Sequence, residues 1–90
     1  MSSGSVRINS AELRQFASQL SQFNISLADQ MSALNSQFQR LGETWQDPAY
    51  AHFGEEFQQL VTNLQRFENT SETIIPQLFS LAARVDDVHP

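Results

Sequence analysis

Apolar residues recur along the first half of the chain with the period of an α-helix. From Leu13 to Trp45 they are separated by three or four residues at every step, with one additional four-residue step near the middle. This spacing keeps apolar side chains on one face of a helix. Asn9, or Ser10 one residue later, is a suitable N-cap. The pattern therefore predicts a first helix over about residues 10–41.

A second periodic run begins at Asp47 and Pro48. Asp is a strong N-cap, and Pro suits the first helical position because the amide it lacks would be unpaired there. Apolar residues then alternate at three and four positions up to Val88, with Ser71 as the single polar member. This heptad-like pattern is typical of helices that wind around a partner, and it predicts a second helix over about residues 48–85.

The segment between the predicted helices, residues 42–47, is short enough for a tight antiparallel connection. Gly42 can take the left-handed conformation that commonly ends a helix. Within the second helix, Pro76 removes one backbone hydrogen bond. Because the apolar pattern keeps its phase across this residue, we predict a kink near Pro76. A complete break near residues 73–75 is the alternative.

Ninety residues suffice for one domain, and residues 1–90 are predicted to form a single all-α helical hairpin of two long antiparallel helices. Residues 1–7 and 86–90 are expected to be flexible. Both apolar faces are wider than one helix–helix seam requires, so a lone hairpin would leave a long apolar ribbon in water. We therefore predict that two hairpins dimerise into a four-helix bundle. The alternative is a lone hairpin with scattered extra apolar positions.

The residues predicted to form the core and the dimer seam share large apolar side chains at helical spacing. In the first helix they are Leu13, Phe16, Leu20, Phe23, Leu27, Met31, Leu34 and Phe38. In the second helix they are Leu60, Leu64, Phe67, Ile74 and Leu78.

The composition narrows the class of function. The net charge is −5, all five basic residues are Arg, and the chain has neither Lys nor Cys. An acidic chain with scattered Arg is a poor binder of polyanions, so nucleic acid is not an expected partner. No stretch approaches 18 consecutive apolar residues, so no membrane span is expected. The absence of Cys excludes a disulfide scaffold, a thiolate zinc site and a Cys nucleophile.

Few residues offer catalytic or metal chemistry. His52, Glu55 and Glu56 have the spacing of a metal-binding helix face. A dinuclear carboxylate bundle needs four carboxylates and two His from facing helices, whereas the first helix offers only Glu12 and Asp29. Solvated polar residues are the preferred interpretation, and no metal or other cofactor is expected. With no recognisable triad order and no Gly-rich phosphate loop, the chain is not expected to be an enzyme.

The predicted turn is rich in aromatic residues, because Trp45, Tyr50 and Phe53 lie within nine residues and Phe57 follows one turn later. A Trp at a hairpin bend can cap the end of a bundle by packing over the first turn of the second helix. The same aromatic cluster can form a surface groove for another protein, since Trp and Tyr are common interface anchors. The two interpretations do not exclude each other.

These features resemble the WXG-motif proteins, the ESAT-six-like substrates of type VII (ESX) secretion systems. The resemblance covers nearly the whole chain, and its most specific part is the segment LGETWQDPAY at residues 41–50, with Phe53 and Phe57. The WXG-like turn consists of Trp45, Asp47 and Pro48. Asp47 stands where the family has Gly, and Asp can still cap the second helix, so the resemblance implies the same fold.

The resemblance implies a small non-enzymatic interaction protein that is exported as a folded dimer or acts as a co-secreted partner. Its implied partners are a second copy in a homodimer or a paralogous WXG-like protein, with a secretion ATPase as a further candidate. It would reside in the bacterial cytoplasm before export by a leaderless type VII-like route, because residues 1–6 lack an apolar signal-peptide region. The alternative is an intracellular helical adaptor or chaperone-like subunit that is not exported.

Many members of that family carry a Tyr-x-x-x-Asp/Glu export signal near the C-terminus. Here the only Tyr is Tyr50, which is followed four positions later by Gly54, and Phe79 is followed by Ala83. The signal is therefore absent at the family spacing. We expect recognition to depend on a partner's tail or on a variant signal around residues 85–87.

Overall fold

The computed structural model describes residues 8–88, which form two α-helices. Helix α1 spans Ser10–Thr44 and α2 spans Pro48–Val88. The start of α1 contacts the end of α2 and the end of α1 contacts the start of α2, so the helices are antiparallel. The predicted all-α helical hairpin is thus confirmed. Of the ends expected to be flexible, residues 1–7 and 86–90, residues 1–7 and 89–90 lie outside the described residues.

Asn9, rather than Ser10, is the N-cap of α1. Its Oδ1 accepts hydrogen bonds from the amides of Ala11 at 2.9 Å and Glu12 at 3.2 Å. Its carbonyl accepts the first helical bond, from the Leu13 amide at 3.1 Å. Two amides that have no partner within the helix are therefore satisfied by one side chain.

Asp47 caps α2 in the same way. Its Oδ1 accepts from the amide of Ala49 at 2.8 Å, and its carbonyl accepts from the amide of Tyr50 at 2.9 Å. The Pro48 nitrogen has no hydrogen to satisfy, as suits the first position of a helix. The three residues from Trp45 to Asp47 are thus enough to reverse the chain.

The predicted end of α1 near residue 41 and the left-handed Gly42 are wrong. The helix continues through Gly42 to Thr44, and Trp45 is its C-cap, with φ −96° and ψ 90° and its amide bonded to the Leu41 carbonyl at 2.9 Å. Gly42 serves close packing instead. A Cβ atom there would lie 2.5 Å from the hydroxyl oxygen of Tyr50, so only glycine leaves room for that ring.

Helix α2 continues through Pro76, so the alternative of a break at residues 73–75 does not occur. The bond that Pro76 cannot make belongs to the carbonyl of Glu72, an exposed residue, where water can replace it. The kink itself stays a prediction. The helix also runs to Val88, beyond its predicted end at residue 85, because Asp86 is held against α1 by contacts described below.

The seam between the two helices contains mostly small side chains. Ala17 and Ala82 are fully buried, and Asn24 and Ser71 are the other buried residues. No large side chain of residues 8–88 is completely buried. The hairpin by itself therefore removes little apolar surface from water. Within the same residues, neither helix has a stretch that is long and apolar enough to cross a bilayer.

Candidate functional site

Three stacked rings join the end of α1 to the start of α2. The ring of Phe38 stacks on Tyr50 at a centroid distance of 4.8 Å and on Phe57 at 4.8 Å, with interplanar angles of 15° and 24°. The Tyr50 hydroxyl donates a hydrogen bond to the Phe38 carbonyl at 3.0 Å. Aromatic contacts of this kind add stability beyond the area they bury, so they fix the geometry of the turn.

Trp45 lies over the first two turns of α2. Its ring meets Tyr50 at 5.5 Å with an interplanar angle of 69° and Phe53 at 5.7 Å with an angle of 59°. Trp45 is more than half buried, as a residue that packs over the hairpin end must be. Phe53, in contrast, is 54% exposed. The aromatic turn therefore has a packed interior and an apolar edge that faces solvent.

Asp47 and Pro48, the other residues of the WXG-like turn, are exposed. Their observed contacts are those of helix capping, through the Asp47 carboxylate and carbonyl. Trp45 is thus the member of the predicted turn motif that packs on the hairpin, while Asp47 and Pro48 start α2.

The predicted seam residues divide between two surfaces. Those that lie partly buried between the helices are Leu13, Leu20, Leu27, Met31, Phe38, Leu64 and Leu78. Those that remain exposed are Phe16, Phe23, Leu34, Leu60, Phe67 and Ile74. The structure of the single chain therefore uses about half of the predicted seam, and it leaves the rest in contact with water.

The exposed seam residues form two rows, one on each helix, which the exposed Leu41 and Phe53 extend; we call this surface the outer face. Its α1 row is Phe16, Phe23, Leu34 and Leu41, and its α2 row is Phe53, Leu60, Phe67 and Ile74. Each of the eight side chains is between 39% and 56% exposed. Spacings of seven or eleven residues return to nearly the same side of a helix at 3.6 residues per turn. The rings of Phe23 and Phe67 meet edge to face at 5.7 Å, which joins the two rows.

Not every exposed apolar residue belongs to the outer face. Ile25 is 57% exposed, yet it lies two positions after Phe23 and so points to a different side of α1. Phe79 lies five positions after Ile74 and is likewise off the α2 row. Single exposed apolar residues are common on protein surfaces. A contiguous apolar surface along two helices is typical of an interaction site.

A polar layer interrupts the seam between the helices. The Asn24 side-chain amide donates to the carbonyl of Glu68 at 3.5 Å, but its own buried oxygen has no hydrogen-bond partner. Ser71, also buried, donates its hydroxyl back to the Phe67 carbonyl at 2.9 Å. An unsatisfied buried oxygen lowers stability, so this layer weakens the seam that the apolar residues build.

At the open end of the hairpin, Asp86 is held by α1. Its carboxylate accepts a hydrogen bond from the Ser10 hydroxyl at 2.6 Å and pairs with the Arg14 guanidinium at 2.7 Å. Sequence reasoning missed this contact, because residues 76 positions apart share no local pattern. It explains why residues 86–88 are helical although they were expected to belong to a flexible end.

Two polar residues near the start of α2 are paired with each other. His52 and Glu56 approach each other at 3.3 Å on one exposed helix face. Across residues 8–88, no group of three or more His, Asp or Glu side chains is close enough to hold an ion.

The chain is thus an all-α helical hairpin with an aromatic turn and an uncovered apolar face. The family model described as proteins of 100 residues with WXG (WXG100) matches residues 5–88. The chain therefore belongs to the ESAT-six-like WXG100 family of type VII secretion proteins. No curated protein and no solved structure matches it. Members of the family are non-enzymatic helical proteins that typically form homodimers or heterodimers.

Proposed function

We propose that this protein is exported by a type VII secretion system as half of a folded four-helix bundle, either as a substrate or as a co-secreted partner. The observation that carries the proposal is the outer face. Eight large apolar side chains on two helices stand at least 39% exposed, while the hairpin's own seam buries completely only alanines. A second helical hairpin placed on this face would complete the bundle.

The free energy of folding also favours association with a second hairpin. Burying apolar surface stabilises by roughly 25 cal/mol per Å², and a chain with a narrow seam has little such surface to offset its ordering entropy. Covering eight half-exposed Phe, Leu and Ile side chains supplies the missing stabilisation. Folding and association of this chain are therefore expected to be coupled.

A matched pair of variants tests association. Phe23→Glu places a charge on the outer face, whereas Ile25→Glu places the same charge on a side chain of similar exposure on another side of α1. We expect sedimentation at micromolar concentration to show dimers for the wild type and for Ile25→Glu, and monomers for Phe23→Glu. Equal behaviour of the two variants would contradict the role of the outer face.

Export has its own test, in a strain with an active type VII machine and in an isogenic strain without its ATPase. We expect the protein in the medium of the first strain only, and a cytosolic marker in neither. Retention in the cells of both strains would contradict export. It would favour the intracellular adaptor. One observation supports that alternative: the only Tyr of the chain, Tyr50, is hydrogen-bonded to the Phe38 carbonyl within the fold and does not belong to a C-terminal export signal.

The aromatic turn is the part we propose for recognition by the secretion machine, because Trp45 presents Phe53 at an exposed edge. Trp45→Phe keeps an aromatic ring at the turn, and Trp45→Ala removes it. If the turn is a recognition surface, Trp45→Ala lowers the exported fraction more than it lowers the folded fraction measured by circular dichroism. Loss of both in proportion would assign Trp45 a role in folding only.

The proposed variant signal at residues 85–87 must be tested by a substitution that preserves Asp86, because Asp86 also holds the open end of the hairpin. A deletion of residues 84–90 removes that contact together with the signal. Asp87→Asn changes the segment while leaving Asp86 in place. We expect Asp87→Asn to reduce export without changing the thermal midpoint; unchanged export would contradict the assignment of Asp87 to a signal.

A further inference from the structure

Three features weaken the backbone of α2 within one short stretch, residues 67–76. The Ser71 hydroxyl donates to the Phe67 carbonyl at 2.9 Å, and the Thr73 hydroxyl donates to the Asn69 carbonyl at 3.1 Å. Both bonds run back by four residues, where the hydroxyl competes for a carbonyl of the helical ladder and often bends the helix. Pro76 has no N–H to donate, so a third carbonyl of this stretch lacks its helical donor.

The polar layer of the seam lies at the level of this stretch. The Asn24 amide reaches the Glu68 carbonyl at 3.5 Å, but its buried oxygen has no hydrogen-bond partner. Ser71 is 4% exposed and donates its hydroxyl within its own helix, so the two buried side chains do not satisfy each other. A half-satisfied polar layer is less stable than an apolar one. The helices are therefore held weakly at the level where α2 bends most easily.

Beyond this stretch, little apolar surface holds the last part of α2, residues 77–88, which we call the strap. Its fully buried side chain is that of Ala82, and Ala17 is the fully buried residue of α1. Small side chains bury little apolar surface. Across residues 8–88, the ring contacts all join residues between 23 and 67, on the turn side of the polar layer. The strap therefore lacks the aromatic packing that fixes the turn.

A polar latch holds the far end of the strap on α1. Asp86 accepts a hydrogen bond from Ser10 at 2.6 Å and pairs with Arg14 at 2.7 Å. The two ion-pair side chains are 43% and 48% exposed, and such pairs contribute little to stability. The outer face does not extend onto the strap, because its α2 row ends at Ile74. A partner seated on that face would therefore leave the strap outside its α2 contacts.

We propose that residues 71–76 form a hinge, and that the strap swings away from α1 as an intact helix when the contacts of Asp86 break. The inference rests on the proposed function, in which residues 85–87 act as a variant export signal. In the closed position Asp86, the central residue of that segment, is engaged by Ser10 and Arg14. In the open position the whole segment faces solvent. Recognition of the segment then selects the open strap and shifts the population towards it.

Distances between two spin labels test the motion. The chain has no Cys, so introduced thiols are the only labelling sites. The exposed positions of Ala11→Cys and Ala83→Cys span the open end, and those of Gln39→Cys and Ala51→Cys span the turn end. Labelled chains are diluted in an excess of unlabelled protein, so that only distances within one hairpin are measured. We expect a second, longer distance for the open-end pair and a single distance for the turn pair. Equal behaviour of the two pairs would overturn the hinge.

Substitutions at the hinge and at the latch should change the open population in opposite directions. Pro76→Ala supplies the missing N–H, so bending must break one more hydrogen bond and the longer distance should become about fivefold rarer. Arg14→Gln weakens the latch and should make it about twofold more frequent. The exposed neighbour provides the control Gln77→Ala, which should change little. An unchanged longer-distance population in Pro76→Ala would overturn the hinge and indicate unwinding from the helix end.

Export of the same unlabelled variants separates this inference from the proposed function. If recognition requires the open strap, Pro76→Ala should be exported about fivefold less than the wild type, in proportion to its open population, and Gln77→Ala normally. Equal export of Pro76→Ala and the wild type would overturn the link between opening and recognition. Absence of wild-type export would overturn the proposed function and that link, whereas the hinge is decided by the distances alone. Circular dichroism of each variant shows whether its helices remain folded.

Discussion

At the turn end of the hairpin, Phe38 stacks on Tyr50 and Phe57 at 4.8 Å, whereas at the open end Asp86 is tied to Ser10 and Arg14 by polar contacts. The aromatic contacts bury apolar surface and are not ion pairs that salt would screen. The side chains of Arg14 and Asp86 are 43% and 48% exposed, and exposed ion pairs contribute little and are screened. The hairpin is therefore expected to be firm at one end and to open locally at the other.

The largest expected effect is at the turn end. Phe38→Ala removes both ring stacks at once and should destabilise the protein by about 3 kcal/mol, by analogy with other large-to-small changes. Urea denaturation at one fixed protein concentration measures the loss, because the proposed dimer would make the stability depend on concentration. The exposed neighbour Gln37 provides the control variant Gln37→Ala, which should be near neutral. A loss below about 1 kcal/mol for Phe38→Ala would refute the firm turn.

Alanine substitutions at two glycines near the turn test how tightly that end of the hairpin is packed. An Ala Cβ at Gly42 would meet the Tyr50 hydroxyl oxygen at 2.5 Å, whereas one at Gly54 would meet Phe38 at an ordinary 3.5 Å. Both residues lie within helices, where Ala is preferred over Gly by about 1 kcal/mol. Gly54→Ala should therefore raise the free energy of unfolding by up to that amount. Gly42→Ala should lower it by about 1 kcal/mol, because Tyr50 must leave its place and its hydrogen bond.

We expect the two alanine variants to change the free energy of unfolding in opposite directions. If Gly42→Ala were as stabilising as Gly54→Ala, Tyr50 would not be packed against α1. Near-ultraviolet circular dichroism, which reports the environment of Tyr50 and Trp45, should change for Gly42→Ala and remain unchanged for Gly54→Ala.

The smallest effect is expected at the open end. Arg14→Gln should cost less than about 1 kcal/mol, since the pair with Asp86 is half exposed. Its effect should appear instead in hydrogen exchange, as faster exchange of amides in the last turn of α2 and unchanged rates around Phe57. High salt should produce the same change in the wild type. Arg40→Gln, at an exposed arginine near the turn, is the control; equal exchange in both variants would argue against the contact.

The caps and the helical period were predictable because their causes are local. Asn9 and Asp47 cap through amides two or three residues away, and such short-range contacts leave a pattern in the sequence. The role of Gly42 was not predictable in this way. It depends on the ring of Tyr50, which reaches it across the chain reversal, and periodicity says nothing of contacts made there.

The sequence pattern also could not predict which seam residues would be buried and which exposed. Phe16 and Leu20 belong to the same apolar pattern, yet Phe16 is exposed and Leu20 lies partly between the helices. An apolar face wider than one helix–helix seam predicts two packing surfaces, but the pattern does not assign each residue to one of them. The spacing of the exposed rows became visible only when the structure had separated them from the inner residues. The Asp86 contact likewise required the fold, because Ser10 and Asp86 are 76 positions apart in the sequence.

The start of α1 and the end of α2 lie side by side, and this determines how the hairpin would respond to a pulling force. A force that draws these two points apart acts across the seam, so the helices would unzip turn by turn rather than slide past each other in shear. The contact between Arg14 and Asp86 would part first, and the polar layer at Asn24 offers little resistance midway. The stacked rings around Phe38 would part last. A pulled hairpin would thus yield gradually and then stop at its aromatic turn, which acts as a mechanical clamp.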